Sequence, residues 1–162
     1  MTQQATAAPV RASIIVDASL ERAFSVFTDG FDAWWPREHH LREVDMRTAV
    51  LEPRPGGRWY EKSVDGGECD WGRVLTWEPP HRLVLSWQIS PDWKPEPEPA
   101  KSSEIEVRFT AEGPARTRVD LEHRAFEQHG PGGDAMREAV GGPGGWRGGL
   151  ERYAAAVAGR TP

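Results

Sequence analysis

The hydrophobic pattern of residues 44–126 constrains the fold more than any other feature of the chain. Apolar and polar side chains alternate there with a period of two, in six segments separated by turns rich in glycine and proline. This period is typical of strands with one buried face, and the short connections favour antiparallel pairing over a parallel sheet with helical crossovers. The sequence therefore predicts an antiparallel meander. Its strands are predicted over 44–51, 57–64, 70–77, 82–89, 103–110 and 115–126.

Helical segments lie on both sides of this meander. A predicted strand over 11–17 leads into a helix over 20–28, and a second short helix follows over 31–35. After the last strand, the spacing of apolar residues predicts a short helix over 134–140 and a longer one over 146–158. The apolar side chains of the last helix fall on one face, so we expect that face to pack against the sheet.

The division of the chain into tail, domain and loop follows from composition. Residues 1–9 are small and polar, and we expect a disordered tail there. The remaining residues, 10–160, suit one domain, because a chain of 162 residues is long enough to bury a single core. Residues 90–101 are acidic and rich in proline, which predicts an exposed, mobile loop.

Charge and hydropathy exclude several classes of function. The formal net charge is -5, and the arginines are scattered singly, so no basic patch is available to neutralise nucleic-acid phosphates. No apolar run approaches the roughly 20 residues of a membrane span. The first residues have neither the basic region nor the apolar region of a signal peptide. We therefore expect a cytoplasmic protein without a nucleic-acid partner or a membrane span.

The side chains that most often carry chemistry show no recognisable motif. A single cysteine, Cys69, excludes an internal disulfide and a multi-cysteine zinc site. The adjacent His39 and His40 point in different directions on a helix or a strand, so they cannot easily bind one metal ion. Phosphate-binding, dinucleotide-binding and serine-hydrolase glycine motifs are absent. We expect no metal, no cofactor and no catalytic residue assigned by motif.

Four stretches of the sequence resemble a known superfamily. They are SLERAFSVFTDGFDAWWP, EPRPGGRWYE, DWGRVLTWEPPHRLVLSWQI and GGWRGGLERYAAAV. Together they cover the chain from about residue 11 to residue 158, and they resemble the SRPBCC (START/Bet v1-like) superfamily, in the branch of the activator of Hsp90 ATPase homologue domain. The resemblance implies an α+β helix-grip fold, in which a curved antiparallel sheet of about seven strands wraps around a long C-terminal helix. It also implies two short helices after the first strand.

The resemblance further implies a cavity between the sheet and the last helix, in which members bind lipids, sterols, polyketides or other apolar small molecules. The chain has eight tryptophans against two tyrosines, which suggests an aromatic core or cavity. We expect one ring of the pair at 34–35 in the core and the other at the cavity mouth, with a wholly structural aromatic cluster as the alternative. The candidate cavity residues are Trp34, Trp35, Trp59, Trp71, Trp87, Phe109, His123, Trp146, Leu150 and Tyr153.

Two polar residues have an orientation that matters for function. The positions that alternate with His123 on its strand are charged, so His123 is expected to face inward. The favoured interpretation is a buried histidine held by a backbone or tyrosine partner, and the alternative is a polar anchor or proton donor for a ligand. Arg73 shares a row with Trp71 and Trp77, and the direction of that row stays open. An inward Arg73 would pair with Glu61 or a ligand carboxylate, whereas an outward one would lie over Trp71.

These observations favour a soluble protein that binds an apolar or aromatic small molecule in an internal cavity. They favour binding over catalysis, and whether a reaction is also catalysed stays open. The first alternative is a cavity enzyme of the cyclase, dehydratase or hydrolase type, with His123 as its acid or base. The second is an interaction module linked to a chaperone ATPase, which would need an exposed apolar patch. A monomer and a homodimer are both compatible with the sequence.

Overall fold

The strands form one antiparallel sheet in the computed structural model, which describes residues 8–159. The sheet order is β1-β7-β6-β5-β4-β3-β2, so β2 to β7 form an uninterrupted meander and β1 closes against β7. The meander is confirmed, whereas most of the predicted tail lies outside the described residues. The strands are β1 (Val10–Val16), β2 (Met46–Leu51), β3 (Arg58–Ser63), β4 (Glu68–Glu78), β5 (Arg82–Trp87), β6 (Ser103–Gly113) and β7 (Arg116–Arg124).

Four α-helices accompany the sheet in this part of the chain. The sheet curls as a half-barrel around the last of them, which is the helix-grip arrangement. No helix within residues 8–159 combines the length and the apolar character needed to cross a membrane. The helices are α1 (Leu20–Thr28), α2 (Phe31–Trp34), α3 (Gly133–Gly141) and α4 (Gly148–Val157).

The last helix begins two residues later than its apolar spacing predicts. A π-helical turn over Pro143–Arg147 precedes α4, and Gly145 within it has a non-helical backbone (φ -88°, ψ -134°). Trp146 therefore lies in this turn, outside the helix, although its ring is buried. On α4 itself, the Tyr153 hydroxyl donates to the Ala23 carbonyl at 2.7 Å and ties the helix to α1.

Two β-bulges change the facing of side chains along β4. The register with β3 shifts between Trp59 and Tyr60, and the register with β5 shifts between Val74 and Thr76. Each bulge reverses the alternation of side chains, because the extra residue has no partner across the ladder. Trp71 is consequently buried, and Leu75 is 48% exposed.

The row of Trp71, Arg73, Leu75 and Trp77 was expected on one face, and that expectation is wrong because of these bulges. Trp77 packs edge-on against Phe24, at a ring distance of 5.2 Å, on the concave side. Arg73 points outward and donates to Asp70 at 3.1 Å. It therefore does not pair with Glu61, and its partner is a carboxylate three residues earlier.

Gly72 allows the strands to approach closely at the first bulge. A methyl group on its Cα would collide with the Ser86 carbonyl oxygen and the Trp59 indole nitrogen. These two groups hydrogen bond to each other at 2.8 Å, so the glycine leaves room for a buried indole that is 0% exposed. No other residue type fits here without moving β5 or the Trp59 ring.

We expect Gly72→Ala to lower the free energy of unfolding by about 1–3 kcal/mol or more, because the added methyl overpacks this contact. Urea denaturation followed by far-UV circular dichroism measures the change. Gly144→Ala is the matched control, since no atom lies within 4 Å of the position where its methyl would stand. An equal effect of both substitutions would contradict the assigned role of Gly72.

The outer face of the sheet carries a cluster of ion pairs around Glu106. This side chain is 8% exposed, and it contacts Arg82 Nε at 2.5 Å, Arg124 Nη1 at 2.5 Å and Arg108 Nε at 2.8 Å. Burial raises the pKa of the Glu106 carboxyl, but hydrogen bonds from Arg82 and Arg124 and the charge of Arg108 outweigh it and lower the pKa to about 2. The cluster joins three neighbouring strands, β5, β6 and β7.

Replacing this carboxylate should make stability depend less on pH. We expect Glu106→Gln to cost about 1–3 kcal/mol near pH 7, because three guanidinium groups lose their shared acceptor. The folded-state pKa lies below the ordinary value of 4.5, so the stabilisation is present above that pH and is lost as the pH falls toward about 2. Urea unfolding near pH 7 and near pH 3 tests this, and a constant difference between the proteins would contradict it. Glu104→Gln, which removes a half-exposed carboxylate 3.2 Å from Arg124, should have a smaller effect.

Candidate functional site

A cavity of about 290 Å³ opens between the concave face of the sheet, the end of α2 and the turn before α4. Five tryptophans line it together with smaller apolar residues, and polar side chains stand on its exposed side. The polar residues belong to the segment 38–42, which we call the rim loop, and they are Glu38, His39 and His40. The five cavity tryptophans are Trp35, Trp71, Trp87, Trp93 and Trp146.

The structure divides the ten residues predicted for this cavity into two groups. Trp35, Trp71, Trp87 and Trp146 line it. The others do not reach it and fill the adjoining core, where Trp34, for example, packs between Phe27 at 5.0 Å and Tyr153 at 5.7 Å. Side chains that face inward occupy most of the space under the sheet, so facing inward did not guarantee contact with the cavity. The residues that were expected to line the cavity but lie in the adjoining core are Trp34, Trp59, Phe109, His123, Leu150 and Tyr153.

Hydrogen bonds to the protein hold three of the cavity tryptophans in place. The indole N–H groups donate from Trp35 to the His39 carbonyl at 2.9 Å and from Trp71 to Glu61 at 2.8 Å. The third donates from Trp146 to His123 Nδ1 at 3.0 Å. Because the N–H is the only polar group of an indole, each bond sets the orientation of its ring. The aromatic wall is therefore formed before any ligand arrives.

Trp87 differs from these three tryptophans. Its indole nitrogen is buried and has no hydrogen-bond partner among residues 8–159. A buried donor without an acceptor costs about 1–3 kcal/mol. The neighbouring Trp59, by contrast, donates to the Ser86 carbonyl.

His123 belongs to a buried chain of hydrogen bonds behind the cavity wall. An indole can only donate, so His123 Nδ1 accepts from Trp146 and the ring proton lies on Nε2. That proton is donated to Ser103 Oγ at 2.7 Å, and the Ser103 hydroxyl donates to His129 Nε2 at 2.8 Å. Burial, with a smaller contribution from His129, lowers the pKa of His123 well below its ordinary value. His123 is therefore a neutral, structural residue.

This geometry corrects two expectations about His123. Its partners are a serine and a tryptophan, where a backbone group or a tyrosine was expected. The ring is 0% exposed and both nitrogens are occupied, so it cannot exchange a proton with a ligand in the cavity. His129 was not predicted to take part, because it follows the last strand in a short 3₁₀ turn, where no spacing links it to Ser103.

The hydroxyl of Ser103 connects the two imidazoles, and removing it leaves buried polar atoms without partners. We expect Ser103→Ala to lower the free energy of unfolding by about 1–3 kcal/mol. Ser63→Ala is an unusually close control, because both serines are 0% exposed and the Ser63 hydroxyl has no partner among the described residues. That substitution should be neutral or slightly stabilising. Chemical denaturation compares them, and equal losses would argue against the chain of hydrogen bonds.

Glu61 is a buried carboxyl group for which the sequence suggested only a pairing with Arg73. It is 0% exposed and lies on the inward face of β3 between Trp59 and Ser63. Three N–H groups donate to it, namely the Leu41 amide at 2.5 Å, the Arg42 amide at 3.1 Å and the Trp71 indole. The period of two on β3 was the available signal for its burial. Glu61 joins the rim loop to the cavity wall.

The remaining reactive side chains have simple environments. Partial burial lowers the pKa of His39, against an opposing effect of Glu38. Burial raises the pKa of the Cys69 thiol to about 11, so little thiolate exists near neutral pH. Within residues 8–159, no three histidine, cysteine, aspartate or glutamate side chains come together in a metal-binding arrangement.

The half-barrel sheet, the helix it encloses and the cavity between them define a helix-grip protein of the SRPBCC (START/Bet v1-like) superfamily. Residues 17–155 match the family described as "Activator of Hsp90 ATPase homolog 1-like protein". The chain belongs to that family. Its fold and its structural relatives are those of a cavity protein of the ligand-binding or cyclase type.

Several solved structures are similar to the chain over almost its whole length. An anthrahydroquino-gamma-pyrone synthase, Txn09, complexed with SUM, is 41% identical, with 94% of this chain and 97% of that chain covered and a TM-score of 0.65. CalC from Micromonospora echinospora, a self-sacrificing resistance protein, is 32% identical over 93% and 94% of the two chains, with a TM-score of 0.66. CalU16 from the same organism is 25% identical, covers 93% and 76%, and has a TM-score of 0.60. A comparison with curated protein sequences finds no match.

Proposed function

We propose that this protein binds a planar, fused-ring aromatic molecule with oxygen substituents in the tryptophan-lined cavity. The observation that carries the proposal is the wall of five tryptophans around one space of about 290 Å³. Indole faces and edges offer a flat aromatic ligand both stacked and edge-to-face contacts. The volume is at the lower end for small-molecule sites, which favours a compact ring system over a sterol or a lipid chain.

The hydrogen bonding of the wall supports an oxygenated ligand in particular. Three of the indole N–H groups are already bound to the protein, so those rings lose little freedom when a ligand enters. Polar groups of the rim loop stand on the exposed side, where ligand substituents would meet them.

The structural relatives support the same ligand class. Txn09 is named for a fused-ring compound that contains a pyrone, and its chain is 41% identical to this one. Its named product class combines aromatic rings with ring oxygen, which fits a wall of indoles beside the polar groups of the rim loop. CalC, a self-sacrificing resistance protein 32% identical to this one, shows that proteins similar to this chain also serve outside synthesis.

A cyclase-type enzyme using the same cavity is the second candidate. The identity with a synthase favours it, and so do the histidines at the exposed side of the cavity. His123 is not part of this candidate, because it has no access to the cavity. The interaction-module hypothesis has less support, since the large apolar side chains exposed within residues 8–159 are on separate elements. They are Ile15, Val64, Leu75 and Trp93.

The decisive experiment is a calorimetric titration with a hydroxyanthraquinone, a sterol and a fatty acid as three competing ligand classes. Saturable one-to-one binding of the anthraquinone alone is expected. Binding of the sterol or fatty acid without the anthraquinone would refute the proposal. Liquid chromatography with mass spectrometry of cyclisable polyketide-like substrates, incubated with the protein, separates an enzyme from a binding protein by the appearance of product.

Trp93 offers a test of stacking that leaves the core intact. It is 46% exposed, has a left-handed backbone (φ 62°) and reaches the cavity from the loop after β5. We expect Trp93→Ala to weaken anthraquinone binding by about 0.5–1.5 kcal/mol, or roughly 2- to 10-fold in Kd, without lowering the melting temperature. Calorimetry and thermal denaturation measure both quantities. Leu75→Ala, at an equally exposed side chain far from the cavity, should leave Kd unchanged.

A further inference from the structure

We infer that His40 Nε2 is the proton acceptor of the cavity, and that the ligand it recognises carries an acidic phenol or enol hydroxyl. The inference rests on the proposed function and adds the chemical group that selects the ligand. It follows from the hydrogen bond that His40 makes, from the contacts that hold the rim loop and from the apolar wall beside it.

The tautomer of His40 follows from its backbone contact. Its Nδ1 lies 2.8 Å from the Arg42 carbonyl oxygen, which can only accept a hydrogen bond. The ring proton of the neutral imidazole must therefore be on Nδ1, and Nε2 carries the lone pair. No group among residues 8–159 hydrogen bonds to Nε2. His40 lines the cavity, so it brings an unoccupied acceptor to a site whose wall tryptophans can only donate.

Glu61 makes this orientation rigid. Its carboxyl group accepts from the backbone amides of Leu41 and Arg42, the two residues that follow His40. The Arg42 side chain is held as well, by Asp65 Oδ1 at 2.8 Å. The Arg42 carbonyl, which orients His40, therefore belongs to a segment that is held both through its backbone amides and through the Arg42 side chain. Glu61 is a positioning residue, since it acts on a ligand only through the rim loop and Trp71.

Neither His39 nor His123 offers the same group. His123 has both ring nitrogens bound to protein partners and is 0% exposed. His39 packs edge-on against Trp35 at a ring distance of 6.0 Å, and no hydrogen bond sets its tautomer among the described residues. Of the two histidines that line the cavity, His40 is the one whose tautomer a hydrogen bond sets.

The chemical step is a single proton transfer. A hydroxyl that enters the tryptophan wall loses the water molecules that accepted its hydrogen bond, and His40 Nε2 replaces them. The ligand O–H bond breaks, a bond forms between the proton and Nε2, and the electron pair stays on the ligand oxygen. The resulting imidazolium still donates from Nδ1 to the Arg42 carbonyl, and its Nε2–H donates to the phenolate. No oxidant or further reactant takes part.

A matched pair of ligands tests this directly: 2-hydroxyanthraquinone and 2-methoxyanthraquinone, which differ in whether they can give up a proton. We expect the unaltered protein to bind the hydroxy compound about tenfold or more tightly than the methoxy compound, as for a charge-assisted hydrogen bond. The absorption band of the bound hydroxy compound should move toward that of its anion at neutral pH. This shift needs no variant, so it tests the inference even if a substitution disturbs folding.

His40→Asn is the matched variant, because its amide N–H can keep the bond to the Arg42 carbonyl while Nε2 is lost. It should remove both the preference and the spectral shift, and leave the Kd of the methoxy compound within about twofold. His81→Asn, at an exposed turn position before β5, should change neither. Equal binding of the two compounds, or an unchanged preference in His40→Asn, would overturn the role of His40 and leave the proposed function standing. Failure of both compounds to bind the unaltered protein would overturn both.

Discussion

The bulge at Trp71 in β4 is the constraint on which the candidate site depends. The extra residue at this bulge is Trp71, which has no partner across the ladder with β3. Its buried indole enters the cavity wall, whereas Arg73, two residues later, points outward. Gly72 makes the bulge possible, because any side chain there would strike Ser86. Because the Trp71 indole is buried, its N–H needs a buried acceptor, and the Glu61 carboxyl group supplies it. The same carboxyl group also accepts a hydrogen bond from the Leu41 amide, which holds the rim loop. One irregularity of a single strand thus connects the sheet, the wall and the polar rim.

Some aromatic side chains fill the core and others line the cavity, and their spacing in the sequence does not distinguish the two roles. Under β6 and α4 they interlock, as where Phe109 meets Phe24 at 5.1 Å and Phe27 at 5.6 Å, and leave no space for a ligand. Toward α2 and the turn before α4 the rings also contact one another, as where Trp35 meets Trp71 at 5.3 Å, but they border an open space. Hydrogen bonds from two of these indoles to Glu61 and His123 fix the orientation of rings at the edge of the cavity, in addition to their packing.

Element types were readable because they depend on local periodicity, whereas element ends were not. The strand predicted over 115–126 ends at Arg124, since Ala125 adopts a left-handed backbone (φ 66°) that no local pattern announces. The helix predicted from Trp146 begins at Gly148 because a π-helical turn intervenes. In β6, Ile105, Val107 and Phe109 are all buried on one face, as a period of two requires, because the strand has no bulge in that stretch.

The sequence by itself determined the antiparallel meander, the helix-grip family, the inward direction of His123 and the abundance of tryptophan around a shared interior. These follow from periodicity, turn residues and motifs, all of which are properties of neighbours along the chain. Only the tertiary structure decided which tryptophans reach open space, that His123 is sealed behind Trp146, and that His40 and Glu61 belong to the rim. Those facts depend on β-bulges and on hydrogen bonds between residues far apart in the chain, such as Leu41 with Glu61, and no local pattern records such pairings.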